Sequence, residues 1–208
     1  MASLDRGDPT GWFEELYDAA LRGETKVPWA DLAPNKYLVS WSAQRSGCGK
    51  RALVVGCGFG DDAEFLSELG YDVVAFDVAP TAIGNARSRF AGSKVDYVVA
   101  DILDPPPEWR ASYDLVFEAY TVQVHQASAR AEAIRRIAAM PAPGGTLLVL
   151  AHSRRLDGEA GPPWPLTLAE VESFAVDDLA PVEIAEIADA IPPGQRWRGE
   201  FRRPTSDQ

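Results

Sequence analysis

Between Leu53 and Gly60 the chain reads Leu-Val-Val-Gly-Cys-Gly-Phe-Gly, an apolar run that breaks into three glycines at alternate positions. Glycines at that spacing let a backbone turn tightly and approach a ligand that a Cβ would push away. Asp77 follows 21 residues after Gly56, at the end of a second apolar run, where a carboxylate can accept hydrogen bonds from both hydroxyls of an adenosine ribose. Ala100-Asp101-Ile102 closes a third run and offers a carboxylate to the exocyclic amine of adenine and an apolar side chain to its ring face. These strand ends predict an adenosine-type cofactor held by Gly56, Cys57, Gly58, Gly60, Asp77, Val78, Asp101 and Ile102. Dinucleotide-binding turns place the third glycine one residue later, where this chain has Asp61 followed by Asp62. Two carboxylates repel a pyrophosphate and suit a cofactor carrying an ammonium and a sulfonium, so charge favours S-adenosylmethionine over NAD.

Displacement at a sulfonium methyl is in-line at an already activated carbon, so alignment and water exclusion supply most of the acceleration, and neither metal nor covalent nucleophile is required. The groups placed to meet an acceptor are Glu118, Tyr120, Gln123 and His125, after a fourth apolar run, and the loop Gly161-Pro162-Pro163-Trp164. Glu118 ends a run that reads as a buried strand, where an uncompensated carboxylate is costly, so with Tyr120 it is expected to position the methionine moiety or the acceptor. His125 is a candidate general base; the alternative is a surface-loop histidine, and His152 is equally open.

The elements that must hold these groups alternate strand with helix, the rhythm of a parallel sheet. Strands are expected at Arg51–Val55, Tyr71–Asp77, Val95–Asp101, Tyr113–Tyr120 and Gly145–His152. Helices are expected at Asp61–Leu69, stopped by Gly70, at Pro80–Phe90 and at Ala127–Met140, ended by Pro141-Ala142-Pro143-Gly144-Gly145. Thr167 and Glu170 have capping-box spacing for a helix reaching Val176. Pro181–Ala188 and Arg196–Arg203, joined by Pro192-Pro193-Gly194 with no helical pattern between, must be antiparallel strands. The fold class is thus α/β: a doubly wound, Rossmann-like seven-stranded sheet, mostly parallel with an antiparallel C-terminal hairpin. Arg196, Arg198, Arg202 and Arg203 read as the solvated face of an edge strand, with an anion-binding cluster as the alternative.

With 208 residues, 46% of them apolar, the chain is expected to be one domain: a cap over 1–45 and a core over 46–208. A net charge of −11 opposes nucleic acid and anionic membrane as partners. Two lone thiols, Cys48 and Cys57, give no metal pair and suit a reducing cytoplasm. Met1–Asp8 lacks the build of a signal peptide, and charges punctuate every apolar stretch. The expected partner is a small-molecule methyl acceptor; no oligomeric state follows.

The runs Leu53–Gly60, Val73-Val-Ala-Phe-Asp-Val-Ala-Pro80, Val99-Ala-Asp-Ile102, Tyr113-Asp-Leu-Val-Phe-Glu118 and Pro143-Gly-Gly-Thr-Leu-Leu148 make the sequence resemble the class I S-adenosylmethionine-dependent methyltransferases. Within that class it looks most like the branch of thiopurine and small-thiol or halide methyltransferases, through an N-terminal lid helix Phe13-Glu-Glu-Leu-Tyr17 and then Val27-Pro-Trp29 with Pro34. This resemblance implies a lid formed by the N-terminal segment, with Trp12, Phe13, Tyr17 and Trp29 around sulfonium and substrate, where ring faces stabilise a cation. It also implies a thiol or related sulfur or halide acceptor. An oxygen or nitrogen of a phenolic or heteroaromatic compound is the alternative. From other classes, an NAD-dependent oxidoreductase and a non-catalytic cofactor-binding protein stay open.

Overall fold

A computed structural model describes residues 10–27, 29–153, 163–188 and 195–205. The expectations for Met1–Asp8, Pro28, Gly161-Pro162 and Pro192-Pro193-Gly194 lie outside the described residues. The chain forms two compact units, Met1–Asp101 and Ile102–Gln208.

In the first unit, β1 (Arg51–Val55) buries every residue after Arg51, as a strand covered on both faces must. It pairs in parallel with β2 (Asp72–Asp77), and β2 pairs in parallel with β3 (Asp96–Val99), giving the order β3-β2-β1. Helix α1 (Gly11–Leu21) precedes α2 (Lys36–Ser42), which the sequence reading missed. Its signal is local: the Asn35 side chain accepts from the Tyr37 N–H as an N-cap. The crossover helices are α3 (Asp61–Glu68), which buries Ala63 and Leu66, and α4 (Pro80–Arg89), which buries Ala82, Ile83 and Ala86. Pro80 opens α4 in its first turn, where a missing N–H costs nothing. Strand β3 stops at Val99, so Asp101 lies beyond it.

In the second unit the order is β4-β5-β7-β6, from β4 (Tyr113–Ala119), β5 (Pro141–His152), β6 (Ala180–Ala188) and β7 (Gln195–Arg202). Strands β4 and β5 are parallel, while β7 is antiparallel to both β5 and β6, the expected C-terminal exception. Helix α5 (Ala127–Ala138) buries Ala133, Ile134, Ile137 and Ala138, and the short α6 (Leu168–Glu172) has the predicted capping box. The strands of the two units bring the number to seven, mostly parallel, a Rossmann-like architecture.

Three expectations are corrected here. The run Pro141–Gly145, expected to end the helix ahead of a strand starting at Gly145, is itself the start of β5, with a register shift opposite Tyr113 and Leu115. Proline and glycine are turn signals only when nothing else holds them. Here Arg203 Nε donates to the Pro141 carbonyl at 2.9 Å, and the Gly144 N–H donates to Arg203 O. Strand β7 is interior, between β5 and β6, so its arginines do not shield an edge; β6 is the outer strand. Helix α6 stops at Glu172, short of Val176.

Candidate active site

The glycine turn joins β1 to α3. Gly56, Gly58 and Gly60 all have positive φ, at 61°, 52° and 92°, a conformation that L side chains adopt only under strain. At Gly60 a Cβ would collide with the Tyr97 hydroxyl, and at Gly58 it would come 3.3 Å from the Tyr17 hydroxyl. The turn is fastened to β2 through the Cys57 N–H, which donates to Phe76 O at 2.8 Å. Burial pushes the Cys57 thiol well above its usual range, and the neighbouring Asp77 adds to this, which keeps it protonated and unreactive.

Asp77 is the polar centre of this unit, 5% exposed. Its Oδ2 accepts from the Gly58 N–H and its Oδ1 from the Ala79 N–H, each at 3.0 Å. Burial raises its pKa to about 6, against the opposing pull of the N–H groups of Ala79, Gly58 and Val78. Three N–H groups do not exhaust the lone pairs of the two oxygens, so the carboxylate can still accept from a ligand hydroxyl. Val78 is half-buried beside it, and Asp101 is half-buried past the end of β3.

Asp61 and Asp62 have protein partners. Arg89 grips Asp61 with two 2.8 Å bonds, and the Asn35 N–H donates to Asp62 at 2.6 Å. Burial lifts Asp62 to about 6. Both acids thus hold the fold together, so the charge argument drawn from them does not select the cofactor.

The N-terminal aromatics gather over this turn. Tyr17, buried, accepts from Trp29 Nε1 at 3.2 Å and meets Phe59 of the turn edge-on at 5.3 Å between centroids. Trp12 stacks on Phe13 at 3.9 Å, and Trp29 meets both edge-on at 6.1 Å. Tyr17 forms an apolar cluster with Val27, Ala79 and Ala82, against which Phe13, Trp29 and Phe59 pack. The Trp12 Nε1 is buried without a hydrogen-bond partner. Sequence reasoning missed what ties this cover down: Glu14 accepts from both the N–H and the hydroxyl of Thr81 at the start of α4. An acid in a first turn serves its own helix dipole equally well, so nothing in the sequence singled it out.

In the second unit Ile102 is buried, and Glu118, at the end of β4, is fully buried. Glu118 Oε1 accepts from the N–H of Thr121 at 2.7 Å and of Val122 at 3.0 Å, while Oε2 has no hydrogen-bond partner. Burial raises this carboxyl to about 7, with the two N–H groups opposing. Gln123, in the short 3-10 turn Val122–Val124, is also fully buried. Its Oε1 accepts from the His152 N–H at 2.8 Å and its carbonyl from the Trp164 N–H at 2.7 Å, while Nε2 is unpartnered. Gln123 thus fixes the end of β5 through its side chain and the Trp164 segment through its backbone carbonyl.

His125 is buried, 4% exposed, so it is not a surface-loop residue. Its carbonyl accepts from Arg130, which also pairs with Glu170 of the α6 capping box. Tyr120 has a positive φ of 63° and packs against His152 at 5.0 Å with the rings tilted by 50°, the two at the carboxyl ends of β4 and β5 where open α/β sheets bind ligands. The structure therefore collects Gly56, Cys57, Gly58, Gly60, Asp77, Val78, Trp12, Phe13, Tyr17 and Trp29 in the first unit. Glu118, Tyr120, Gln123, His125 and Trp164 come together in the second.

Residues 52–145 match the sequence profile of a methyltransferase domain. The chain contains a class I methyltransferase domain. Over 156 residues the sequence is 32% identical to a ubiquinone biosynthesis O-methyltransferase of Xanthomonas axonopodis pv. citri, covering 74% of this chain and 62% of that protein. It is 25% identical over 208 residues to the 2-heptyl-1-hydroxyquinolin-4(1H)-one methyltransferase of Mycobacteroides abscessus, covering 91% and 89%. Among solved structures it superposes on one described as the conversion of a disulfide bond into a thioacetal group during echinomycin biosynthesis. The TM-score is 0.74 at 25% identity, over 93% of this chain and 94% of that one. The methyltransferase domain so found spans the glycine turn, Asp77, Asp101, Glu118 and His125.

Proposed function

We propose that this chain transfers a methyl group from S-adenosylmethionine to a hydroxyl oxygen attached to the ring of a small aromatic or heteroaromatic acceptor. The carrying observation is the buried Asp77 carboxylate, which keeps lone pairs for a ribose while holding open a turn of glycines, inside a methyltransferase domain. Oxygen is preferred over the thiol or halide read from the sequence because of the two relatives: one is an O-methyltransferase and the other acts on a hydroxyquinolone. A sulfur acceptor is the second reading, favoured by the thioacetal chemistry of the superposed structure.

The residues fit the donor. Gly56, Cys57, Gly58, Gly60, Asp77, Val78, Asp101 and Trp29 of the first unit are the set that would hold it; in the second unit the candidates for the same role are Ile102 and Glu118, whose Oε2 is unpartnered. When bound, the donor would supply a methyl carbon made electrophilic by its positive sulfur. Tyr120, Gln123, His125 and Trp164 are the acceptor side, with His125 the proton acceptor. Trp12, Phe13 and Tyr17 exclude water. Both units belong, in this reading, to one cytoplasmic catalytic domain.

The test is transfer of a labelled methyl group to a panel of hydroxyarenes, hydroxyquinolines and thiols, with calorimetry of S-adenosylhomocysteine against NAD. Labelled ethers with homocysteine-product binding are expected. Tighter NAD binding would falsify the donor assignment, and labelled thioethers alone would move the acceptor to sulfur.

A further inference from the structure

Gln123 sits in the 3-10 turn that follows β4, and none of its side chain is exposed. The orientation of its amide is forced by a neighbour. The His152 main chain offers only an N–H there, at 2.8 Å, so the atom facing it must be the carbonyl oxygen Oε1. The amino end, Nε2, lies on the other side of the amide and has no hydrogen-bond partner. Turning the amide over would not relieve it, since Nε2 would then oppose another donor. The backbone carbonyl of the same residue is engaged as well, by the Trp164 N–H at 2.7 Å. What the side chain leaves unused is therefore a neutral NH2 donor.

The fold fixes this donor from two directions. Glu118, at the end of β4, accepts with Oε1 from the N–H groups of Thr121 at 2.7 Å and Val122 at 3.0 Å, which sets the turn that carries Gln123. From the β5 side, the His152 N–H pins Oε1. A buried amide donor without a partner is unfavourable, and nearly all such groups in folded proteins are paired. This one lies just past the carboxyl end of β4 and against the end of β5, where open α/β sheets bind ligands. A donor already shielded from bulk water gains more from an acceptor than an exposed one does, because it gives up no solvent bond. Being neutral, an amide NH2 suits a neutral acceptor oxygen, and a ligand offering only C–H at that place would leave it unpaired.

From this we infer that Gln123 selects methyl acceptors that carry a carbonyl oxygen on or next to the aromatic ring, besides the hydroxyl that is methylated, with Nε2 donating to that oxygen. The inference rests on the proposed methyl transfer to a ring hydroxyl but concerns binding, which is measured without turnover.

The experiment is calorimetric titration of phenols in pairs that differ only by C=O against CH2, hydroxyacetophenones against ethylphenols and hydroxytetralones against hydroxytetralins. The full chain is used, with and without saturating S-adenosylhomocysteine. The wild type is expected to bind the carbonyl member at least ~10-fold more tightly, the scale of one hydrogen bond to an otherwise unpaired buried donor. Gln123→Met, close in shape but without a donor, is expected to abolish that preference. Gln123→Glu keeps an acceptor for the His152 N–H and with it the fold. It is expected to lose the preference in alkali, where the introduced carboxyl has no proton, and to regain part of it in acid, where that carboxyl can donate. A merely structural role would not move with pH in this way. Equal binding of the two members by the wild type, binding of neither, a preference that survives in Gln123→Met, or a Gln123→Glu preference independent of pH overturns the inference. If S-adenosylhomocysteine binds and no carbonyl preference appears, this inference falls and the methyl-transfer reading stands. If S-adenosylhomocysteine fails to bind while the preference and its Gln123 dependence are seen, the methyl-transfer reading falls and the carbonyl site stands.

Discussion

The acids of the first unit and the buried Glu118 and Gln123 of the second are satisfied in opposite ways. In the first, Asp77 divides its oxygens between two backbone N–H groups, Asp61 is clasped by Arg89, Asp62 takes the Asn35 N–H and Glu14 takes Thr81. In the second, Glu118 and Gln123 are each fully buried with one atom engaged by the backbone and the other, Oε2 or Nε2, unpartnered. A buried unpaired polar atom costs about 1–3 kcal/mol. The acids of the first unit are therefore held by protein bonds, while Glu118 and Gln123 keep an acceptor and a donor in reserve for a ligand.

The sharpest way to break this contrast is Asp77→Ala. If Asp77 both shapes the turn and meets the ribose, S-adenosylhomocysteine affinity should fall ~100-fold or more by calorimetry, since charged hydrogen bonds are worth about 1.5–3 kcal/mol each. Unchanged affinity would remove Asp77 from the site.

Glu118→Gln tests the second half through pH. The folded carboxyl has a pKa of about 7 against an ordinary 4.5, so the folded state holds its proton longer than the unfolded chain. Stability from this group is complete below pH 4.5 and is lost as pH rises towards 7, by about 3 kcal/mol in all. The Gln variant cannot titrate, so urea unfolding across that window should show a flatter decline than wild type. The slope that remains belongs to Asp77 and Asp62, raised in the same direction.

Gly60→Ala would force a Cβ into the Tyr97 ring at a φ of 92°. A loss of about 2–3 kcal/mol is expected from strain and overpacking, read as a lowered denaturant midpoint. The smallest effect belongs to Arg198→Gln. Its partner Glu183 has a side chain 53% exposed, so stability should move by about 0.5 kcal/mol or less and acceptor binding not at all. A large defect in either would end the reading of that pair as a surface contact.

The strands β1, β2 and β4 were legible almost to the residue because continuous apolar runs have one use in an α/β fold. The glycine turn and Asp77 were legible because both are local: a run, a break and an acid at a strand end. Arg196 was not. Its alternation with Trp197 reads the same on an edge strand as on an interior one, and only the insertion of β7 beside β5 brings it to His152. The β5 start was hidden for a related reason, since proline and glycine advertise a turn while Arg203, 62 residues away, holds them in a strand.

By itself, then, the sequence determined the order of elements, the adenosine-type turn and the presence of a buried acid at the end of β4, because hydrophobic period and glycine spacing act over a few residues. The tertiary structure alone decided which acids are already spent, as with Asp61 on Arg89, and which buried groups still lack a partner, as with Glu118 and Gln123. Pairing between residues tens of positions apart depends on which strands lie side by side, and no local pattern encodes that.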